Sequence, residues 1–178
     1  MSEETFSIGL FYGSTTCYTE MAAEKIQQHL NQLLGFECVH LFNLQDTALS
    51  KVAQFDILIL GISTWDFGEI QEDWESQWDD IRTLDLAGKV VALFGLGDQI
   101  GYADWFQDAL GMLHDEVIAR QATVIGYWPN EDYEFTASKA LTEDQRYFVG
   151  LSLDDENQYD KTDARIARWC EQLLSELS

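Results

Sequence analysis

Ile57-Leu58-Ile59-Leu60-Gly61 is an unbroken apolar run, with no polar residue at alternate positions. A strand with one face in water alternates, whereas a strand buried on both faces does not. The run therefore predicts an interior strand of a parallel sheet. Val90-Val91-Ala92-Leu93-Phe94 has the same character, and residues 6–12 form a short apolar run that ends in Gly13. Between these runs the period lengthens. Residues 21–34 place Met21, Ala22, Ile26, Leu30, Leu33 and Leu34 at helical spacing, and Gly35 closes the helix. Residues 38–42 predict the second strand in chain order. A helix with Trp74, Trp78 and Ile81 on one side follows the third, residues 105–119 are helical, and residues 122–127 begin a fifth strand. Residues 163–177 form a closing helix with Ile166, Trp169, Cys170 and Leu173 along one face. Short apolar strands alternating with amphipathic helices define an α/β fold.

One segment breaks this rhythm. Residues 129–146 contain the only proline and the run Asn130-Glu131-Asp132-Tyr133-Glu134, after which Phe148-Val149-Gly150-Leu151 is strand-like again. An excursion inserted into the fifth strand or just beside it is expected, and loops of this length inside a domain are often functional. With 178 residues and no repeat or linker, one domain is expected.

Ten basic residues face thirty-two acidic ones, a net charge of -22. That balance argues against nucleic acid or an anionic membrane as partner. It serves solubility, steering toward basic proteins, or both. No apolar stretch is long enough to span a bilayer. Glu3 and Glu4 open an acidic N-terminus unlike a signal peptide, so a cytoplasmic location is expected. Cys17, Cys38 and Cys170 are scattered, and His29, His40 and His114 lack metal-ligand spacing, so neither a disulfide framework nor a metal site is expected.

Three loops follow apolar runs: Gly13-Ser14-Thr15-Thr16-Cys17-Tyr18-Thr19, Ser63-Thr64-Trp65-Asp66-Phe67-Gly68, and Leu96-Gly97-Asp98-Gln99-Ile100-Gly101-Tyr102. The first is a hydroxyl-rich turn between a strand and a helix, whose leading N–H groups carry partial positive charge and suit an anion. It is neither a Walker A motif nor Gly-x-Gly-x-x-Gly, and no lysine or arginine lies between Gly13 and Glu20. Neutral donors suit a permanently bound phosphate monoester. The same turn would also serve as a helix cap with no ligand. Trp65 and Tyr102 follow strand ends, where open α/β sheets bind ligands, and could cover the two faces of a flat ring. Asp98 and Gln99 could meet its polar edge.

These residues resemble the flavodoxins, and among them the long-chain enterobacterial type. The likeness covers nearly the whole chain: Gly13-Ser14-x-Thr16-x-x-Thr19-Glu20, Gly61-Ile62-x-Thr64-Trp65-x-x-Gly68-Glu69, Gly97-Asp98-Gln99 with Tyr102 and Phe106-x-Asp108-Ala109-Leu110-Gly111, then Phe148-Val149-Gly150-Leu151 and Asn157-Gln158. It implies a doubly wound five-stranded parallel sheet of order 2-1-3-4-5 and non-covalently bound flavin mononucleotide (FMN) at the switch point. By position, Ser14, Thr15, Thr16, Cys17, Tyr18 and Thr19 would surround the phosphate. Trp65 and Tyr102 would stack on the ring, flanked by Ser63, Thr64, Asp66, Phe67, Gly68, Leu96, Gly97, Asp98 and Gln99. Asp154 would lie near the ribityl chain. Cys17, Tyr18, Ser63, Asp66 and Phe67 depart from the family's usual pattern.

The resemblance further implies a one-electron carrier shuttling between semiquinone and hydroquinone, with no substrate turnover of its own. The Asp66 carbonyl would meet the flavin N5–H after one-electron reduction. An anionic hydroquinone is opposed by nearby negative charge. A phosphate charge about 10 Å away, at effective dielectric ~20, costs roughly 1.7 kcal/mol, or about 70 mV, so a low potential is expected. Glu69, Glu72, Asp73, Glu75, Asp79 and Asp80 crowd the segment after the tryptophan loop. They form either a solvated helix face or a docking surface for a basic, flavin-containing NADPH reductase and for acceptor enzymes. A monomer is expected. An FMN-dependent quinone reductase on the same fold is the alternative. A response-regulator receiver would need a carboxylate cluster after the first strand, where Gly13-Ser14-Thr15 stands.

Overall fold

In the computed structural model, the described residues are 7–178. Glu3, Glu4 and Phe6, on which the N-terminal readings rest, lie outside them. The chain runs β1 (Ile8–Tyr12), α1 (Tyr18–Leu34), β2 (Val39–Asn43), β3 (Ile57–Trp65), β4 (Glu69–Ile70), α2 (Glu72–Ser76), α3 (Trp78–Ile81), β5 (Val90–Leu96), α4 (Asp108–Ala119), β6 (Thr123–Ile125), β7 (Trp128–Pro129), β8 (Tyr147–Phe148), β9 (Leu151–Leu153) and α5 (Tyr159–Leu177). Short 3-10 turns occupy Leu49–Gln54 and Ala103–Trp105.

Five parallel strands form the sheet in the order β2-β1-β3-β5-β6, as expected. All of β1 is buried, and so are Leu58 through Ile62 of β3, which explains the lack of alternation in their sequences. Tyr12 pairs with Gly61 and Gly61 with Phe94, so β1, β3 and β5 release their loops along one edge of the sheet. This shared edge brings the three sequence loops together. Helix α1 begins at Tyr18 and stops where the expected Gly35 takes φ 81, its N–H bonded to the Asn31 carbonyl.

The excursion splits the fifth strand. β6 pairs with Val90–Ala92 of β5, the chain leaves for residues 126–150, and β9 then returns parallel to Phe94–Leu96 of the same strand. Within the excursion β7 and β8 pair antiparallel. Tyr133, Phe135 and Phe148 close around Phe106, with ring centroids 5.3–5.8 Å from its own.

Tertiary contacts overrule local propensity at three places. The helix expected around Trp74 and Trp78 breaks at Gln77, whose side chain bonds Leu49 N–H and the carbonyls of Leu44 and Thr47. The helix expected over 105–119 starts only at Asp108. Gln107 takes φ 61 there, and its buried amide donates to the carbonyls of Gly95 and Leu153. Strand β3 extends through Trp65 because β4 folds back on it, pairing Trp65 with Glu69. Among the described residues no helix is long and apolar enough to cross a membrane.

Candidate functional site

The three loops line one open cleft of about 160 Å³. Thr16 and Tyr18 come from the first loop, Ser63 through Asp66 from the second, Leu96, Gly97, Asp98 and Tyr102 from the third, and Asp155 and Glu156 from the turn after β9.

The first loop ends in Cys17, an exposed residue held at φ 69 as the N-cap of α1 with no side-chain cap. The helix's first internal bond runs from Met21 N–H to the Cys17 carbonyl, and Glu20 N–H reaches Ser14 Oγ at 3.4 Å. The N–H groups of residues 15–19 find no acceptor among the described residues. Successive unpaired N–H groups at a helix start form a cradle for an anion. The Thr19 hydroxyl is buried and bonds that of Ser63, which ties α1 to the end of β3.

The second loop is a tight return from β3 to β4. Asp66 takes φ 43 and Gly68 φ 87, a left-handed value that favours glycine. A Cβ on Gly68 would also press against Trp105 and Asp108. Phe67 is 66% exposed and meets Trp105 edge to face at 4.9 Å. Trp65 is half-buried, and its Nε1 is a fully buried donor without a hydrogen-bond partner among the described residues. Thr64 Oγ1 accepts from Ala109 N–H at 3.0 Å. Beneath the turn lies the buried Asp108, whose carboxyl is pushed above the usual range by burial, partly offset by the amide and charge of Lys139.

The third loop carries Tyr102, 37% exposed, which lines the same cleft as Trp65. Asp98 Oδ1 accepts from Ile100 N–H, Gly101 N–H and Asn157 Nδ2, closing its own turn. Gln99 does not reach the cleft. It is 1% exposed, donates to Asp154 through its backbone and side-chain nitrogens, and accepts from Glu134 N–H of the excursion.

Asp154 is likewise turned away from the cleft. It is fully buried and takes five donors, from Gln99, Glu156 and Asn157. Its two successors line the cleft in its place. Asp155 is held by the Thr162 hydroxyl, and burial raises its pKa against the lowering effect of that bond. Sequence reasoning missed Asp155 and Glu156 because consecutive acidic residues give no sign of which one faces inward. Thr15, Cys17, Thr19, Phe67 and Gly68 support or border the cleft without lining it.

The free N–H groups of the first loop suit a phosphate, and the two aromatic walls with the unpartnered Trp65 Nε1 suit a flat ring bearing a hydroxylated chain. The residues present therefore fit FMN. Among the described residues no cluster of His, Cys, Asp and Glu could hold a metal ion.

The comparisons agree with this geometry. The family model described as Flavodoxin matches residues 10–169. The chain is 58% identical to Flavodoxin 2 of Salmonella typhi over 172 residues, 97% of each chain. It is 45% identical to the flavodoxin of Synechococcus elongatus over 169 residues, 95% of this chain and 96% of that one. Among solved structures, Fusobacterium nucleatum flavodoxin bound to flavin mononucleotide superposes with a TM-score of 0.87 at 28% identity, covering 96% of this chain and 98% of that one. With its sheet order, its split fifth strand and these relatives, the chain belongs to the flavodoxin family, in the long-chain form.

Proposed function

We propose that this chain is a low-potential one-electron carrier that binds FMN non-covalently and works as a single domain. The observation that carries the reading is the cleft itself: aromatic walls at Trp65 and Tyr102, with N–H groups of residues 15–19 that have no acceptor among the described residues beside Thr16 and Tyr18. Bound FMN supplies the redox chemistry, taking up and releasing electrons singly. The protein supplies binding, orientation and electrostatics.

The N–H groups of 15–19, with the hydroxyls of Ser14, Thr15 and Thr16, hold the phosphate without a cation. Cys17 and Tyr18 shape that loop, while Thr19 and Ser63 brace it. Trp65 and Tyr102 would cover the ring, Thr64 would meet the chain that links ring to phosphate, and Leu96, Gly97 and Asp98 would border the ring's polar edge. Asp155 and Glu156 take the place expected of Asp154 along that chain, and Gln99 acts from behind the loop. The left-handed Asp66, followed by Phe67 and Gly68, would place a backbone carbonyl at the tip of the turn beside the ring. Negative charge around the cleft, from Asp66, Asp98, Asp155 and Glu156, disfavours added electron density and lowers the potential.

The chain turns over no substrate of its own. The alternative of a quinone-reductase-type enzyme is not favoured, since the relatives at 58% and 45% identity are flavodoxins. Its partners are redox proteins, and we infer that the donor is a basic, flavin-containing NADPH reductase. The side chains of Glu69, Glu72, Glu75, Asp79 and Asp80 are exposed beside the tryptophan loop, where Phe67 offers an apolar centre. The carrier acts as a cytoplasmic monomer in transient, electrostatically steered contacts.

Stepwise anaerobic dithionite reduction of the purified protein tests the central reading. Flavin bands that pass through a distinct long-wavelength spectrum at half-reduction support it. Bands that bleach in a single two-electron step overturn the one-electron assignment, and a colourless chain that fails to quench added FMN overturns the cofactor. For the donor, the reduction rate by such a reductase should fall steeply with ionic strength. A flat salt dependence would refute the docking surface.

A further inference from the structure

Gln71 sits directly after β4 and is fully buried. Its side-chain oxygen accepts from the N–H groups of Asp73 and Trp74, at 3.0 and 3.3 Å. Its side-chain nitrogen donates to Asp73 Oδ2 and to Thr15 Oγ1, both at 3.0 Å. The two N–H donors fix which way the amide points, because the oxygen must face them and the nitrogen must then face Thr15. The Thr15 hydroxyl is thereby used as an acceptor on its inner side. Its own proton is left to point elsewhere, and Thr15 is exposed at the mouth of the first loop.

The same amide also supports the start of that loop. A Cβ on Gly13 would overlap Gln71 Oε1, so only glycine lets the chain pass this close. The neighbouring Trp74 indole donates to the Gly61 carbonyl at 2.7 Å, and Gly13 N–H reaches the same carbonyl at 3.4 Å. One buried side chain thus contacts the first loop at its beginning and at its middle. It is anchored to the strand that returns from the tryptophan loop.

We propose that Gln71 is a positioning residue for the flavin's phosphate. It holds Thr15 so that the hydroxyl proton and the N–H groups of residues 15–19 face a phosphate monoester without help from any cation. The proposal rests on the flavin reading above. It assigns to Gln71 the chain's preference for a phosphorylated flavin over the same flavin without phosphate.

The test uses the full-length chain freed of flavin, with FMN and riboflavin as probes in phosphate-free buffer. Gln71→Met keeps the side chain's size and removes the amide, and Thr15→Val removes the acceptor at an exposed position that leaves the fold intact. Each variant should weaken FMN about fivefold to tenfold, the scale of one hydrogen bond between neutral groups, and should leave riboflavin within about twofold. Combined, the two changes should cost no more than either alone. Equal losses for FMN and riboflavin would overturn the proposal, because support of the cleft in general acts on both. Unchanged FMN affinity in Thr15→Val, or multiplicative losses in the double variant, would overturn it too. A wild-type chain that binds neither flavin would overturn the flavin reading and this proposal with it. Binding of both flavins with equal affinity would overturn this proposal alone.

Discussion

The tryptophan loop and the tyrosine loop both line one cleft, yet they are held in different ways. The tryptophan loop is mostly self-contained. Its turn is closed by the pairing of Trp65 with Glu69 only four residues on; it leans on the start of α4 through Thr64 and Gly68, and on Tyr102 and Trp105 through Phe67. The tyrosine loop depends on chain far away in sequence. Gln99 bonds Asp154 and Glu134, the Ala103 carbonyl accepts from the N–H groups of Thr136 and Ala137, and Gly97 N–H donates to Leu153. One wall is thus built by local turn chemistry and the other by the excursion that interrupts the fifth strand. The excursion's clearest physical role is to buttress the tyrosine loop.

The harshest way to break this comparison is Phe106→Ala. Phe106 is 1% exposed at the centre of the aromatic cluster that joins the tyrosine loop to the excursion. Its truncation should cost about 3–5 kcal/mol in urea unfolding. Amide exchange should accelerate around residues 98–103 and 133–137 more than around residues 64–68. Uniform acceleration would mean the two walls are one cooperative unit. Gln99→Met is milder: it leaves Glu134 N–H without its acceptor and removes one donor from Asp154, an expected loss of about 1–3 kcal/mol. Flavin affinity should fall with it although Gln99 does not line the cleft, as a fluorescence-quenching titration would show.

Direct truncation of the walls sharpens the contrast. Trp65→Ala and Tyr102→Ala should each weaken flavin binding by about 0.5–1.5 kcal/mol beyond the area lost, with the larger effect at Trp65, the more enclosed of the two. The reverse order would show that the excursion-supported wall dominates recognition. The smallest effect concerns pH. Burial holds the Asp108 carboxyl above its ordinary value of 3.8, so the ionised form costs stability at neutral pH, and that cost disappears as pH falls through the raised value toward 3.8. Asp108→Asn should therefore raise the melting temperature at pH 7 and lose this advantage below about pH 4. A gain that persists in acid would point to packing in place of charge.

Much of this was legible in the chain. Unbroken apolar runs at 57–61 and 90–94 can satisfy burial on both faces only inside a parallel sheet, and Gly35 marked a helix end because few other residues take its backbone angle. The loops after the strands were legible because hydroxyls, aromatics and glycines cluster there. The breaks at Gln77 and Gln107 were hidden, since each is made by a side-chain amide satisfying carbonyls from distant segments, and no local pattern records that. The turn at Asp154, Asp155 and Glu156 shows the same limit, because three acidic residues in a row differ only in which one finds donors behind it.

The sequence by itself determined the α/β class and the strand-and-loop rhythm, because periodicity and turn residues are local properties of the chain, and its resemblance to the flavodoxins supplied the cofactor type. Only the tertiary structure decided how the fifth strand is divided, that Gln99 and Asp154 stand behind the cleft while Asp155 and Glu156 line it, and that Gln71 bonds Thr15 of the first loop. Those outcomes depend on which buried donors and acceptors meet across tens of residues, and hydrogen-bond satisfaction in a closed interior is settled only once the whole chain is in place.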